Sequence, residues 1–490
     1  MRKLGVTIAI VTIVAAFTVR AQDGRATLDA AAKAMGSSSL MTIQYSGSGT
    51  NAAFGQAYKP GGAWPEFKVT GYTAMVSYAP VAMRVEVDRT NPDGKVQGGG
   101  GLPLVAPQKQ IQVLSGRAAW NVANNNPAAA LATVADRQLA VWTTPHGVIK
   151  AALANNATVN GRVISFTLSG ITVTATLGSD NLVSKVETTT DLPVLGDTVT
   201  ETTYSEYKDY GGVKFPRRIV QKQGGFSILD LTIADVKPNA AVNIEIPQPI
   251  LQTLASPGVT PVTVTTTKVG EGVYYLTGGS HHSMAVEFKD YIVLVEAPQT
   301  DERAMAVLDA TKKAIPNKPI RYVVNTHNHF DHLGGIRAVM SEGITIITQA
   351  GNKAYYEKIA TLPHTVNPDR LAKSPKKPVI ETVDEKRVIT DGTQTLELYH
   401  LPSMHTEGML IGYVPKLKVL FEVDVFNAPP AQPANAAAPP PVPLNPATVE
   451  FVDNLTKMKL DVDQILAGHG PRITTIKDLR AAGGKAVSTN

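Results

Sequence analysis

The chain has 490 residues, of which 43% are hydrophobic and 18% are charged, with 40 Gly and 33 Pro. These proportions are typical of a globular protein with many turns and exclude a fibrous or largely disordered chain. The length predicts two domains. The net charge is only +5 and Lys and Arg form no stripe, so nucleic acid is not expected as a partner. The chain contains no Cys, which excludes disulfides, thiolate nucleophiles and Cys-ligated metals.

The first 21 residues have the pattern of a secretory signal peptide. Arg2 and Lys3 precede an apolar run over residues 4–19, and the small residues Val19 and Ala21 fit a cleavage site after Ala21. We therefore predict export to the periplasm or the medium. The apolar run is short for a membrane anchor, which needs about 20 residues. No later segment is predicted to cross a membrane, so no stable span is expected after cleavage.

Residues 22–255 are predicted to form a mostly antiparallel β domain. A helix is expected over residues 26–35, and the strands that follow it alternate apolar and polar side chains, most clearly over 162–168 and 171–177. Turn residues such as Gly170 separate these strands. The pattern loosely resembles the curved half-barrels of periplasmic lipoprotein-carrier proteins.

A Pro-rich segment over residues 238–261 lacks clear periodicity, and we place a domain boundary within it, near residue 255. Beyond the boundary, strands such as 291–295 alternate with helices such as 300–314. This alternation predicts an α/β layered domain over residues 256–490.

The run from His327 to His332 has the sequence HNHFDH and holds three of the ten histidines of the chain. It follows a strand predicted over residues 320–325. Because alternate residues of an extended chain share a face, His327 and His329 can reach one metal ion, while Asp331 and His332 after a bend can reach a second. A metal-binding loop is therefore predicted, in preference to a set of turn and helix-cap residues without a metal.

This run resembles the signature of the metallo-β-lactamase superfamily, and four more positions match that family in order. They are an acid that follows a strand, a His that precedes Thr, an acid that closes a strand, and a His between glycines: Glu296, His405, Asp424 and His469. The resemblance implies two ligand sets joined by a bridging Asp424: His327, His329 and His405 for one ion, and Asp331, His332 and His469 for the other. Glu296 is implied to brace the metal loop.

The resemblance also implies an αββα sandwich for the C-terminal domain and a dinuclear, zinc-dependent hydrolase. A metal-bridging hydroxide is then expected to cleave an ester, lactone or related carbonyl bond of a small-molecule substrate. Asp331 is the expected catalytic residue, because it would orient this nucleophile as well as bind metal. Zinc is expected because His dominates the ligand set, with Mn or Fe as alternatives.

Two positions depart from the family pattern. Glu296 stands where the family more often has Asp, and Val423 stands where Gly usually precedes the bridging acid. Neither change removes a ligand. The second bears on the backbone geometry at Asp424.

Three other interpretations stay open at the level of sequence. One is a β-lactamase, although the β-lactamases of the family generally lack an acid at the position of Asp424. Another is an envelope-binding or lipid-carrier protein in which the N-terminal sheet does the work and the metal domain is not catalytic. The third is an iron enzyme that activates or reduces oxygen, as in a minority of the superfamily. The sequence does not predict the oligomeric state.

Two features outside the family match bear on the pocket. Four other histidines could line the substrate pocket, although positions on loop surfaces or in the core are expected for each: His281, His282, His364 and His400. Residues 427–446 contain eight Pro and begin three residues after Asp424, which predicts a stiff rim over the pocket.

Overall fold

A computed structural model of the chain describes residues 24–255, 262–427 and 443–484. The predicted signal peptide and most of the Pro-rich rim lie outside these residues, so both stay predictions. In the part of the chain that is described, no helix has the length and apolar character needed to span a bilayer.

The described N-terminal residues form a 13-stranded antiparallel sheet and four helices. The strands are β1 (Thr42–Ala52), β2 (Glu66–Tyr78), β3 (Val81–Thr90), β4 (Gln108–Ser115), β5 (Ala118–Ala123), β6 (Asn126–Ala129), β7 (Thr158–Asn160), β8 (Val163–Leu168), β9 (Ile171–Leu177), β10 (Val183–Leu192), β11 (Gly196–Asp209), β12 (Lys214–Gln223) and β13 (Phe226–Pro238). The helices are α1 (24–35), α2 (Val134–Trp142), α3 (Pro145–Ala154) and α4 (Gln248–Ala255).

Strand β1 lies in the middle of this sheet, between β2 and β13, so the first and last strands of the N-terminal half are neighbours. Irregular pairing on both sides of Gly47 marks bulges in β1, which bend a strand. A side chain at Gly47 would not fit, because its Cβ would lie 2.2 Å from the carbonyl oxygen of Thr232. After the end of β1, the chain continues into residues 53–58, which contact the candidate metal-binding residues.

Alternating side chains explain how the sheet forms its core. In β9, Val173, Ala175 and Leu177 are buried and the residues between them are only partly covered. Helix α3 begins with Thr144 as its N-cap and Pro145 at its first turn, and its apolar face joins the same core. The N-terminal half is thus mostly antiparallel β, as predicted.

The remaining described residues form two further sheets and seven helices. The seven-stranded sheet comprises β14 (Thr265–Gly270), β15 (Val273–Thr277), β16 (Ser283–Glu287), β17 (Ile292–Val295), β18 (Ile320–Val324), β19 (Thr345–Gln349) and β20 (Ile380–Val383). The six-stranded sheet comprises β21 (Lys386–Thr390), β22 (Thr395–His400), β23 (Leu410–Val414), β24 (Val419–Glu422), β25 (Gln464–Ala467) and β26 (Thr474–Thr475). The helices are α5 (Asp301–Ala314), α6 (Phe330–Leu333), α7 (Ile336–Glu342), α8 (Lys353–Ile359), α9 (Arg370–Lys373), α10 (Pro446–Met458) and α11 (Ile476–Ala482).

Strand β17 shows how these layers stack, because all four of its side chains are buried. Ile292 and Leu294 pack in a core with α5 and α7, whereas Val293 and Val295 pack in a second core with the six-stranded sheet. Helices α10 and α11 contribute to this second core. The order helices, sheet, sheet, helices confirms the predicted αββα sandwich.

The domain boundary near residue 255 stays a prediction, since residues 256–261 are not described. Helix α4 contacts the N-terminal sheet, where Ile250 packs against Val113 and Trp120. The first strand of the sandwich, β14, begins at Thr265.

Two parallel strand pairs position the candidate site. Strand β17 pairs in parallel with β18, and β24 pairs in parallel with β25. Ligand sites in α/β folds form at the carboxyl ends of such strands. Four of the candidate residues follow these four ends within three residues: Glu296, His327, Asp424 and His469.

Candidate metal centre

The HNHFDH run changes conformation in its middle, as expected from its spacing. His329 has an extended backbone and precedes α6, whereas Asp331 and His332 lie within that short helix. His327 and His329 therefore point from extended chain, while Asp331 and His332 point from the first turn of a helix. The bend lets one short segment supply two groups of side chains.

The first group gathers His327, His329, His405 and Asp424. One ligand atom from each lies within 4.8 Å of the others. The three histidines are at most 7% exposed. Asp424 Oδ2 lies 3.3 Å from His327 Nε2 and 3.2 Å from His405 Nε2.

The second group gathers His281, Asp331, His332 and His469 within the same distance limit of 4.8 Å. The Nε2 atoms of His332 and His469 face each other at 3.0 Å. Asp424 also reaches this group, with Oδ2 3.0 Å from His332 Nε2 and Oδ1 2.8 Å from His469 Nε2. Asp424 is therefore in contact with both groups, as a bridging ligand would be.

The donor atoms of the first group fit a metal ion. Four of them are buried and have no hydrogen-bond partner: His327 Nε2, His329 Nδ1, His405 Nε2 and Asp424 Oδ2. A buried polar atom without a partner costs roughly 1–3 kcal/mol. Imidazole nitrogens and a carboxylate oxygen that converge on one point can all be satisfied by one divalent cation.

The opposite ring nitrogens are held by oxygen atoms of the protein. This contact orients each ring and leaves its other nitrogen facing the centre. The pairs are His327 Nδ1 with Thr326 Oγ1 at 3.0 Å, His329 Nε2 with the Ala57 carbonyl at 3.1 Å, His332 Nδ1 with Glu296 Oε2 at 3.1 Å, and His469 Nδ1 with the Ser280 carbonyl at 3.0 Å.

Glu296 lies where a bracing residue is expected. Its side chain is fully buried, Oε1 accepts a hydrogen bond from the Thr326 backbone N–H at 2.7 Å, and Oε2 lies 3.1 Å from His332 Nδ1. Burial alone would raise the pKa of Glu296, but His332 and the Thr326 N–H lower it below its usual value. The ionised carboxylate thus fixes both the start of the metal loop and the ring of His332.

Asp331, Asp424, His327 and His329 are in the protonation states that a metal site requires. Burial lowers the pKa of His327 to about 4 and that of His329 well below its usual value. Burial opposes ionisation of Asp331 and Asp424, yet neighbouring histidines, His332 above all, lower both pKa values. Because metal ligands must be deprotonated, this pattern favours binding.

The pKa of His332 shifts in the opposite direction from those of His327 and His329. Burial disfavours its charged form, but Asp424, Asp331 and Glu296 together raise its pKa well above the usual value. The negative charge around His332 thus favours positive charge at this position.

The backbone at Asp424 accommodates Val423 in place of the usual Gly. Asp424 has φ of 64°, in the left-handed region that few residues other than Gly adopt. The Val423 side chain fits because position 468 is Gly: a Cβ there would lie 2.2 Å from Val423 Cγ1. The lack of a side chain at Gly468 therefore leaves room for the Val423 side chain.

His281 lies among the candidate metal ligands, whereas the sequence predicted a position on a loop surface or in the core. It belongs to the second group, with Nε2 3.2 Å from Asp331 Oδ2 and its ring centroid 4.1 Å from that of His469. Ser280 Oγ lies 2.8 Å from its Nδ1. The position of His281 in a Gly-rich turn before β16 gives little indication of metal binding. Its contacts are with Asp331 and His469, which are far away in sequence.

The other three histidines that were expected outside the pocket contact other partners. His282 Nδ1 lies 2.7 Å from the Tyr275 hydroxyl, and His364 Nδ1 lies 2.7 Å from Asp191. His400 Nε2 lies 3.0 Å from the Glu407 carbonyl. None of the three is in either group of candidate ligands among the described residues.

The N-terminal half completes the surroundings of the metal loop, which the sequence did not predict. Gln56 Nε2 donates to Asp331 Oδ1 at 2.8 Å, and the Ala57 carbonyl accepts from Asn328 Nδ2 at 3.0 Å. Gly99 packs so closely that a Cβ there would lie 2.6 Å from His329 Cε1. The two halves of the chain thus meet at the candidate centre.

A cavity of about 650 Å³, here called the metal pocket, lies between these two halves. Its C-terminal wall is formed by candidate ligands, namely Asp331, His405, Asp424 and His469. Its N-terminal wall includes Phe67, Arg89, Gln110 and Gln112. Its volume is within the range of about 300–1,000 Å³ that is usual for small-molecule sites.

Residues 276–471 match the family model described as metallo-beta-lactamase superfamily. The resemblance inferred from the motifs is therefore confirmed for this region. The matched residues include Glu296 and all seven predicted metal ligands.

Curated alkylsulfatases align with short parts of the chain. A linear primary-alkylsulfatase from Pseudomonas sp is 34% identical over 106 residues, which are 21% of this chain and 15% of that protein. The alkyl/aryl-sulfatase BDS1 of Saccharomyces cerevisiae is 30% identical over 76 residues, which are 15% of this chain and 12% of that protein. The chain thus aligns with less than a sixth of the length of either relative.

Solved structures of metallo-beta-lactamases are similar to part of the chain. FIM-1 from Pseudomonas aeruginosa, in its mono-zinc form, has a TM-score of 0.32 and 20% identity, over 46% of this chain and 94% of its own. The enzyme from Pontibacter korlensis has a TM-score of 0.33 and 21% identity, over 45% of this chain and 98% of its own.

We expect Glu296→Gln to weaken zinc binding about 10- to 100-fold, because removal of a partner that orients a ligand typically has this effect. Competition with a chelator of known affinity measures the change. Glu342→Gln is the control, since Glu342 is an exposed residue at the end of α7. Equal zinc affinity in both folded variants would exclude the bracing role of Glu296.

We expect His281→Ala to weaken the second of two bound ions and to leave the first unchanged, because His281 lies only in the second group. Zinc content after dialysis against a series of chelator concentrations would fall in two separate steps. His400→Ala is the control, since His400 is in neither group. Loss of both ions together, or of neither, would contradict this assignment.

Proposed function

We propose that the protein is a metal-dependent hydrolase that cleaves an ester-type bond of a small anionic substrate, with sulfate esters as the first candidates. The observation that carries this proposal is the convergence of the His and Asp side chains on Asp424. These donors open onto the metal pocket. Donor atoms at the wall of a cavity are what a catalytic site, rather than a closed structural site, requires.

Divalent cations, with zinc as the favoured metal, would polarise a substrate oxygen and acidify a water molecule at this site. His327, His329 and His405 would hold one ion and Asp331, His332 and His469 the other, with Asp424 between them. His281 is added to the second set on the basis of its position.

Asp331 is placed to orient the attacking water. Its side chain is 37% exposed and lines the metal pocket. Gln56 donates to Oδ1, so the carboxylate is fixed on one side, while Oδ2 faces His281 and His332. Its lowered pKa means that it is ionised at neutral pH and can accept a hydrogen bond from water.

Arg89 supports an anionic substrate. It lines the metal pocket, is 8% exposed, and lies over the ring of Phe67 with its guanidinium carbon 3.7 Å from the centroid. Its Nε and Nη2 both donate to Gln108 Oε1, and no carboxylate of the described residues forms an ion pair with it. A buried guanidinium without a protein anion is suited to bind a substrate oxyanion.

The similarity to alkylsulfatases favours sulfate among the possible oxyanion esters, although it covers a small part of each chain. Carboxylic esters and lactones remain within the same chemistry. We also propose, on the basis of the signal pattern in the first 21 residues, that the protein acts outside the cytoplasm.

Turnover of matched substrates tests this function. We expect the zinc-loaded protein to release sulfate from an alkyl sulfate faster than it hydrolyses the β-lactam nitrocefin, and His329→Ala to abolish the activity. A panel of an alkyl sulfate, 4-nitrophenyl acetate, a lactone and nitrocefin covers the competing chemistries. Turnover of nitrocefin alone, or of none of the four, would contradict the proposal.

We expect Arg89→Gln to raise the KM for an anionic sulfate ester about 10- to 100-fold, because a charge-assisted hydrogen bond contributes roughly 1.5–3 kcal/mol. The KM for the neutral 4-nitrophenyl acetate should not change. Arg84→Gln is the matched control, since Arg84 lies on the other face of β3 and pairs with Glu86. An equal rise in KM for both substrates would argue against an oxyanion at Arg89.

A further inference from the structure

We propose that the N-terminal sheet binds the apolar chain of the substrate, so that the protein takes anionic amphiphiles rather than compact anions. This inference rests on the proposed function and concerns a second cavity, here called the sheet cavity. It has a volume of about 570 Å³ and lies between the sheet and α2.

The sheet cavity adjoins the metal pocket. Five residues line both cavities: Asn51, Ala52, Phe54, Gln110 and Gln112. They come from the end of β1, the residues just after it and the middle of β4. A molecule bound at the metal pocket can therefore extend into the sheet cavity.

Strand β3 provides a continuous track along both cavities. Alternate residues of a strand point to the same side, which places Met83, Val85, Val87 and Arg89 on one face. The first three line the sheet cavity and Arg89 lines the metal pocket. The track measures roughly 20 Å at the usual rise of a strand. Along this face of β3, three apolar side chains are thus followed by the cationic side chain of Arg89.

The neighbouring strand β4 runs beside this track with a row of amides. Arg89 pairs with Gln108, Val87 with Gln110 and Val85 with Gln112. Gln108 holds the guanidinium of Arg89, and the other two amides lie at the junction of the cavities. The junction is therefore polar and the cavity beyond it is mainly apolar.

The interior of the sheet cavity is suited to a hydrocarbon chain. Buried Tyr45, Tyr72, Met83 and Ile219 contribute to its wall. Transfer of an apolar chain from water to such a surface is favourable. A further cavity shares seven lining residues with it and continues with polar threonines; the shared residues are Asp136, Ala140, Thr143, Thr202, Gln221, Gln223 and Ile228. The apolar stretch is therefore bounded at both ends, which limits the length of the chain it can take.

The mouth of the sheet cavity is held against the metal loop. Phe54 lines both cavities, and its ring packs edge-on against Phe330 of the HNHFDH run, with centroids 5.5 Å apart. The Gly55 carbonyl accepts from the Phe330 backbone N–H at 3.2 Å. Because these contacts fix the cavity next to the candidate ligands, a bound chain would place its head group at the centre.

Chain length is the variable that tests this inference. We expect kcat/KM of the zinc-loaded protein for linear alkyl sulfates, kept below micellar concentrations, to rise by roughly fourfold at most per added methylene. The rise should end at a plateau once the apolar stretch is filled. A kcat/KM that does not depend on chain length in an active enzyme would overturn the inference and leave the proposed function intact.

The variant Val85→Phe narrows the sheet cavity without altering a metal ligand. We expect it to shift the plateau of kcat/KM to shorter alkyl chains. Val199→Phe is the matched control, because Val199 is 45% exposed and lines neither cavity. The same chain-length profile in both variants would contradict a chain-binding role for the sheet cavity.

Binding of alkyl sulfonates separates this inference from the proposed function, because their C–S bond is not a sulfate ester. Calorimetric titration of the zinc-loaded protein with hexyl, octyl and decyl sulfonate should show affinity that rises with chain length and falls in Val85→Phe. If this holds while no alkyl sulfate is hydrolysed, the proposed reaction is wrong and the chain-binding site stands. If sulfates are hydrolysed but sulfonate affinity ignores chain length, the inference is wrong.

Discussion

The carboxylate of Asp424 is the point on which the rest of the site depends. Its two oxygens lie 2.8–3.3 Å from ring nitrogens of four histidines on three separate chain segments: His327 and His332 from the HNHFDH run, His405 and His469. So many buried lone pairs at one place would destabilise the fold unless a cation satisfied them. The parallel pairs β17–β18 and β24–β25 bring Glu296, His327, Asp424 and His469 to one edge of the sandwich. Glu296 binds the backbone N–H of Thr326, and Gly468 leaves room for Val423.

The N-terminal sheet is part of the same functional unit. Gln56, Ala57 and Gly99 touch the metal loop, and Arg89 faces the candidate ligands across the metal pocket. In the proposed function the sandwich would hold the metal ions, and the sheet would determine which molecules reach them. The interpretation of the N-terminal half as an envelope-binding or lipid-carrier protein stays an alternative to our proposal that its cavity binds the apolar end of a substrate.

The sequence predicted what local patterns and motifs can specify. Alternation predicted the antiparallel strands, and the spacing of the HNHFDH run predicted that its own side chains divide between two ions. His405, Asp424 and His469 were implied only by the family resemblance. His281, Gln56 and Arg89 could not be predicted in the same way. Gln56 and Asp331 are 275 residues apart, and a side chain that contacts such a distant segment leaves no periodic signal. Arg89 differs from other arginines only in its tertiary surroundings.

Metal content tests the central claim most directly. Elemental analysis of the purified, full-length mature protein, after removal of loosely bound ions, should find about two divalent ions per chain, as the two groups of ligands require. His329→Ala and Asp424→Asn should each lower this number while the far-UV circular dichroism stays native. No metal above background in a folded, zinc-supplemented wild-type protein would contradict the account, as would full metal content in both variants.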